Sequence, residues 1–298
     1  MTSQLDMKAA LPPDLAGMNG LNFTRRQESW VAESGGYFYK IIRRHDDPLQ
    51  DLYDPECIET ARREYSDMQF LHGLSDKVCR PERVEHGCIV YPYLSGPDMR
   101  GALQSNPADA QRRTCLREAM SLLAQLHAPA VGTGNYPLKD YQRDSHLVPD
   151  SGIRERISAR NKTLVISGFE VRNLRFDRTR DTWCFFDPHH VKRGVPEEDF
   201  ARFVISLLMI NWGRDGALRC WSAFSMDELL AMYERASLTT LDKVLLNHFL
   251  RQTAVMRKSY AIRALRAMHP AQRIIGWPYL MMYFQQIEKW NLAHAFRL

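Results

Sequence analysis

Four residues, in the chain order Lys40, Glu64, Asn173 and Asp187, are of types that together could handle the phosphates of a nucleotide. Phosphoryl transfer needs an ammonium group against the α- and β-phosphates, a carboxylate to aim it, and oxygen ligands for magnesium. Lys40 stands in the run Tyr37-Phe38-Tyr39-Lys40-Ile41-Ile42, just after Ser34-Gly35-Gly36. Glu64 lies in a segment with helical apolar spacing, and Asn173 and Asp187 bracket a β-prone stretch. Each has an ordinary alternative when taken singly. A strand lysine snorkels to solvent, a glutamate on an amphipathic helix is solvated, and Asn and Asp are common turn residues. Their order, each in a suitable setting, makes the combination informative.

The elements that must position them follow from pattern. Trp30–Ala32 and Tyr37–Ile42, joined through Gly35-Gly36, predict a hairpin. Pro55–Leu74 predicts a helix, with Ile58, Ala61, Tyr65, Met68 and Leu71 on one stripe. Val78–Val84 and Cys88–Leu94 predict two more strands around a Glu85-His86-Gly87 turn. Helices are expected over Met99–Leu103 and Ala108–Ala128. A loop of about 35 residues follows, long enough to suggest a functional segment. Leu164–Ile166 predicts a short strand. Leu174–Phe176 and Thr182–Phe186 predict a second hairpin, and helices are expected from about Glu197 onward. Strands first and helices later imply an α+β layout.

With these settings in place, the chain resembles the aminoglycoside/choline phosphotransferase and lipopolysaccharide-kinase branch of the protein-kinase-like superfamily, from about Asn22 to Trp212. Phe38-Tyr39-Lys40-Ile41 is similar to the strand-lysine motif, and Ala61–Tyr65 to the helix whose glutamate pairs with it. Val90–Gly96, with Tyr91 and Tyr93, resembles the last strand and hinge where adenine docks. Leu122–Ala128 resembles the helix before the catalytic loop, Phe185-Phe186-Asp187-Pro188 the metal-binding motif, and Glu198–Phe203 the segment whose aspartate braces that loop. The resemblance implies a bilobal fold: a lead-in over 1–20, an antiparallel-sheet lobe with one helix over 21–96, and a mostly helical lobe over 97–298. It implies ATP and magnesium as cofactors, with Lys40, Glu64, Tyr91 and Tyr93 at the nucleotide and Asn173 and Asp187 at the metal.

Two departures stand out. The catalytic loop of that family reads His-Gly-Asp-x-x-x-x-Asn, and the aligned stretch is Ile166-Ser167-Gly168-Phe169-Glu170-Val171-Arg172-Asn173. Gly168 therefore occupies the position of the catalytic aspartate. Glu170 and Asp144 are candidate substitute bases, with Asp140 beside the latter; all three read equally well as loop residues. The Gly-rich phosphate loop is replaced by Asn22–Ser29, where Arg25 and Arg26 read as phosphate contacts or as solvated surface. His189 and His190 follow Asp187 without a matching Cys/His cluster. Trp277, Tyr279, Tyr283, Phe284 and Trp290 read mainly as helix packing, with an acceptor-pocket role open to some of them.

Composition bounds the rest. In 298 residues the net charge is +5, with no long Lys/Arg block, which gives no case for nucleic acid and mildly suits an anionic partner. Six scattered cysteines form no CxxC pair. No secretory signal and no transmembrane run is read, so a cytoplasmic setting is expected. Three readings stand. The first is an ATP- and magnesium-dependent phosphotransferase acting on a small-molecule hydroxyl (sugar, amino alcohol or glycolipid, an anionic sugar among them). The second is a catalytically impaired pseudokinase-type nucleotide- or metabolite-binding regulator or scaffold. The third is an unrelated α+β protein.

Overall fold

The computed structural model describes residues 21–26, 28–128, 150–188, 191–212 and 220–294. Contacts divide it into two compact units. Unit one holds the described residues up to Gly96 together with Asp177–Pro188. Unit two holds the described residues of Pro97–Phe176 and those beyond 188.

Unit one is built on a five-stranded sheet. In chain order its strands and helices are β1 (Thr24–Arg25), β2 (Ser29–Ser34), β3 (Tyr37–Ile42), α1 (Pro48–Tyr53), α2 (Pro55–Leu74), β4 (Arg83–Glu85) and β5 (Cys88–Pro92). The sheet order is β1-β2-β3-β5-β4, and every pairing is antiparallel. Gly35 and Gly36 both sit at positive φ (58° and 81°), the left-handed backbone that a tight hairpin turn requires and glycine adopts without strain. Alternation along β3 gives the sheet two uses. Tyr39 and Ile41 join Trp30, Ala32, Cys88 and Val90 in an apolar core covered by Leu52 of α1. Lys40, opposite Val31 and Ile89, is displayed on the other face with Tyr91 of β5.

Helix α2 has the bounds its pattern predicts. Asp54 caps it by accepting from the amides of Glu56 and Cys57 at 2.9 and 3.0 Å, with Pro55 in the first turn. The expected single helix of this region is corrected to two. In α1, Asp47 accepts from Leu49 N at 2.9 Å and Pro48 opens the helix, a start signal that the short, polar segment hides. The strand expected over Val78–Val84 is also corrected. Only Arg83–Glu85 pairs along the sheet, and Val78 makes an isolated bridge to Phe185 instead. Pro81 lacks the amide that a continuous ladder would need.

Unit two is mostly helical. Its elements begin with α3 (Met99–Gln104), α4 (Asp109–Leu126), α5 (Ser151–Ala159), β6 (Thr163–Val165), a 3₁₀ turn at Val171–Asn173 and β7 (Leu174–Asp177), whose last residue groups with unit one. After β8 (Thr182–Phe185), which belongs to unit one, come β9 (Lys192–Gly194), α6 (Pro196–Leu208), α7 (Met226–Ser237), α8 (Lys243–Arg266) and α9 (Pro270–Ala293). β6 pairs antiparallel with β9. The long loop expected after α4 is broken by α5, which Asp150 caps through Ile153 N at 2.8 Å. Helix α6 is buried along nearly its whole length and packs chiefly on α8, with Phe200 edge-on to Tyr233 of α7.

Candidate functional site

In unit one, Lys40, Glu64 and Asp187 meet. The Lys40 ammonium donates to both Glu64 oxygens at 2.8 Å and also to Asp187 Oδ1. Tyr91 O–H donates to Glu64 Oε1 at 2.8 Å, so the carboxylate that orients the lysine is itself oriented by β5. Burial alone would depress the Lys40 pKa, but Asp187 and then Glu64 outweigh it and hold the ammonium above the ordinary lysine range. Burial pushes the Glu64 carboxyl up while Lys40 pulls it back. Both Glu64 oxygens are hydrogen-bonded to the ammonium. Burial, followed by the Glu64 charge, drives the Tyr91 phenol well up, so it stays a donor.

The trio carries two carboxylates against one ammonium, an excess of negative charge in a largely desolvated place. Asp187 is at positive φ, 64°, a conformation aspartate tolerates better than most residues and one that turns a chain sharply after a strand. Such an arrangement suits a divalent cation at Asp187, and phosphates at an ammonium already aimed by Glu64. Among the described residues no three His, Cys, Asp or Glu side chains form a metal cluster. A magnesium ion of the phosphotransfer type takes one or two protein ligands and completes its shell from phosphates and water.

Of the remaining nucleotide candidates, Tyr91 is buried with its hydroxyl on Glu64, so its place is behind the lysine pair. Tyr93 is exposed at the end of β5, where its amide donates to Gly36 O at 2.8 Å. Arg25 forms an exposed ion pair with Asp46 at 2.7 Å. The thiols of Cys57, Cys79 and Cys88 are pushed up to about 12, burial being the largest cause, and are chemically quiet.

Unit two holds the loop from Ile166 to Asn173, which is pinned at almost every residue. Asp199, fully buried on α6, accepts from Ile166 N at 2.6 Å and Ser167 N at 2.9 Å, and contacts His127 Nε2 at 3.3 Å. His127 Nδ1 lies 2.8 Å from the Tyr233 hydroxyl, a partner no sequence motif points to. Arg202 donates to Ser167 O at 3.0 Å, and Ser206 Oγ accepts from Val171 N at 3.1 Å. Ser167 is at φ 54°, so these bonds hold a backbone state that serine disfavours. Asn173 Nδ2 donates to Gly168 O at 2.9 Å, which fixes its amide against the loop. Glu170 is 2% exposed and lies between Arg257 of α8 and Arg172, the latter at 3.1 Å. Asp140, Asp144, His189 and His190 lie outside the described residues.

Burial would raise the Asp199 carboxyl, but His127, the Ile166 amide and Arg202 outweigh it, and its pKa is held below the usual carboxylate range. A depressed folded pKa gives stability that is complete above the unfolded value and lost as the pH falls through the folded one. Asp199→Asn is therefore expected to cost about 2 kcal/mol in urea unfolding near neutral pH. It is also expected to flatten the loss of stability seen below about pH 4. An unchanged acid limb in the variant would show that Asp199 does not carry this dependence.

No protein-family model and no curated protein matches the chain. Comparison with solved structures does find similar folds. APH(2″)-IIa in its gentamicin complex aligns over 93% of this chain and 99% of its own, with a TM-score of 0.57 at 13% identity. A choline/ethanolamine kinase family protein from Mesorhizobium loti aligns over 95% and 97%, with a TM-score of 0.54 at 12% identity. The chain shares the fold of these two solved proteins. Aminoglycoside phosphotransferase APH(3″)-Id from Streptomyces rimosus, solved with ADP and streptomycin, shares the fold over 80% of this chain and 94% of its own (TM-score 0.53, 10% identity). Within this kinase-like fold the expected α+β architecture and antiparallel amino-terminal sheet are both present.

Proposed function

We propose that the protein binds a magnesium–nucleotide complex at the Lys40 trio and is a small-molecule phosphotransferase by descent. The observation that carries this reading is the doubly hydrogen-bonded Lys40–Glu64 pair with Asp187 on the same ammonium. Lys40 holds the α- and β-phosphates, Glu64 keeps it aimed, Tyr91 steadies Glu64, and Tyr93 borders the base. Asp187 and Asn173 are the assigned magnesium donors; a bound magnesium supplies charge neutralisation for the phosphoryl oxygens. Solved structures of the same fold contain ATP with streptomycin, or AMP-PNP, calcium and amicoumacin, which supports a nucleotide beside a small hydroxyl-bearing acceptor. A sugar, amino alcohol or glycolipid is the acceptor class, and the use of ATP by a chain whose cysteines are free thiols fits a cytoplasmic setting.

A second reading is favoured by one specific feature. Gly168 offers no carboxylate, and Glu170 is buried between two arginines, so its oxygens are committed to ion pairs and it is poorly disposed to accept a proton from a substrate. A protein that binds nucleotide but turns it over slowly, acting as a regulator or scaffold, accounts for that loop. Both readings share the first test. Calorimetry with magnesium and ATP is expected to give binding for the native chain and a loss of at least about tenfold for Lys40→Ala and for Asp187→Ala. A native chain that binds no nucleotide, with or without magnesium, defeats both.

A further inference from the structure

Helix α9 is apolar on two opposite sides. Leu280, Tyr283, Phe284 and Ile287 fall at i, i+3, i+4 and i+7 and are buried in unit two. Tyr283 anchors that side through a hydrogen bond to Leu208 O at 2.8 Å, and Trp212 stacks on Tyr279 with ring centroids 5.1 Å apart. The other side carries Ile274, Trp277, Pro278 and Met282 at i, i+3, i+4 and i+8, with Ile275 beside them. Ile274 and Ile275 are 76% and 78% exposed, Trp277 44% and Met268, in the preceding turn, 47%. A helix apolar all round belongs in a core or against an apolar environment, and this one has a core on one side alone. An exposed patch of Ile, Ile, Trp and Met is beyond the scattered surface hydrophobes of an ordinary monomer.

The charge around this patch is one-sided. From Tyr260 through Ile287 the chain has three arginines and no aspartate or glutamate. Arg263, Arg266 and Arg273 are exposed at the α8–α9 tip. The tip is a closely packed helical hairpin: a Cβ on Gly276 would come within 2.5 Å of Leu265 Cδ1, so the two helices approach closely there.

We propose that the α8–α9 tip docks on an anionic lipid bilayer surface. Exposed Ile and Trp side chains enter the interface while the arginines at the same end meet anionic headgroups, the combination that holds amphipathic helices in the plane of a membrane. Charge complementarity decides the occupant. A second copy would bring an equally basic tip against this one, and like charges would oppose the contact. Nucleic acid would satisfy the arginines but leave Ile274 and Ile275 in water. No described helix is long and apolar enough to span a membrane, so the contact is with the surface. The inference is independent of the nucleotide reading.

Vesicle sedimentation with the full chain tests it. Binding is expected to phosphatidylcholine vesicles containing about 30 mol% phosphatidylglycerol, weakening with salt, and not to phosphatidylcholine alone. Ile274→Ser with Ile275→Ser is expected to weaken it by on the order of tenfold or more, and Arg263→Gln with Arg266→Gln to weaken it as well. Both Ile positions are exposed, so an unchanged thermal midpoint should accompany the loss. The proposal fails if no vesicle binding occurs, or if the native chain binds neutral and anionic vesicles equally. It fails if the Ile substitutions leave binding unchanged, which would mark a charge-only surface of the kind nucleic acid uses. It fails too if those substitutions instead abolish a concentration-dependent dimer in a chain that ignores vesicles.

Discussion

Lys40→Met is expected to destabilise unit one by about 3 kcal/mol at neutral pH, apart from any effect on ligand binding. The substitution keeps the length and packing of the side chain and removes the charge. What remains is Glu64 and Asp187 with no ammonium between them, and their side chains are only 10% and 30% exposed. Two such carboxylates cannot both ionise cheaply, so the Glu64 pKa, already pushed up by burial, rises further when Lys40 no longer opposes it. An acid whose folded pKa is raised binds protons more tightly folded than unfolded. Its penalty is therefore absent below the unfolded value, grows as the pH climbs through the window up to the folded value, and is complete above that. The deficit of Lys40→Met relative to the native chain should accordingly shrink as the pH is lowered from 7 towards about 4.5. Magnesium should also recover part of it, since a divalent cation can take the place of the ammonium charge. Urea unfolding at several pH values, with and without magnesium, reads both effects. A deficit that is small and flat with pH would show that the trio is not coupled in this way.

The Lys40–Glu64 pair is largely legible in sequence because each member sits in a strongly patterned element. Lys40 follows a Gly-Gly turn in a six-residue β-prone run, and Glu64 is on a helix whose Asp54-Pro55 start and apolar stripe are explicit. Tyr91 reads as a base contact, whereas its hydroxyl meets Glu64. The register that puts Phe38 opposite Tyr91 and Lys40 opposite Ile89 sets these groups on one face, and register is a long-range property. Short elements escape the pattern. Helices α1 and α5 rest on Asp47 and Asp150 caps with too few apolar residues to show a period, and β9 is three residues that acquire strand form by pairing with β6. Trp277 resembles packing by composition, and only the opposite placement of Leu280, Tyr283 and Phe284 shows that it faces outward. Tyr233 and Arg257 reach His127 and Glu170 across 106 and 87 residues of sequence. A single sequence carries no signal for such pairs.

Gly168→Asp is expected to raise nucleotide turnover by about a hundredfold or more while leaving magnesium–ATP affinity nearly unchanged. The reasoning starts from how little else the loop lacks. Asp199 holds the amides before Gly168, Arg202 holds the carbonyl of Ser167, and Asn173 closes the loop on the Gly168 carbonyl. Gly168 is not among the described residues at positive φ, so its backbone does not demand glycine. A frame this fixed supplies alignment, which is much of phosphoryl-transfer catalysis, and what is missing is a carboxylate to orient the attacking hydroxyl and take its proton. Gly168→Asn is the control, because it adds nearly the same volume without a base. Turnover gained by Asp and not by Asn, at similar thermal midpoints, would show that the native chain is a nucleotide-binding protein short of one catalytic group. Equal, low turnover in all three would mean that the loop geometry no longer presents this position to an acceptor. A native chain already fast, and slowed by both substitutions, would mean that some other group supplies the base and that Gly168 keeps space for its substrate.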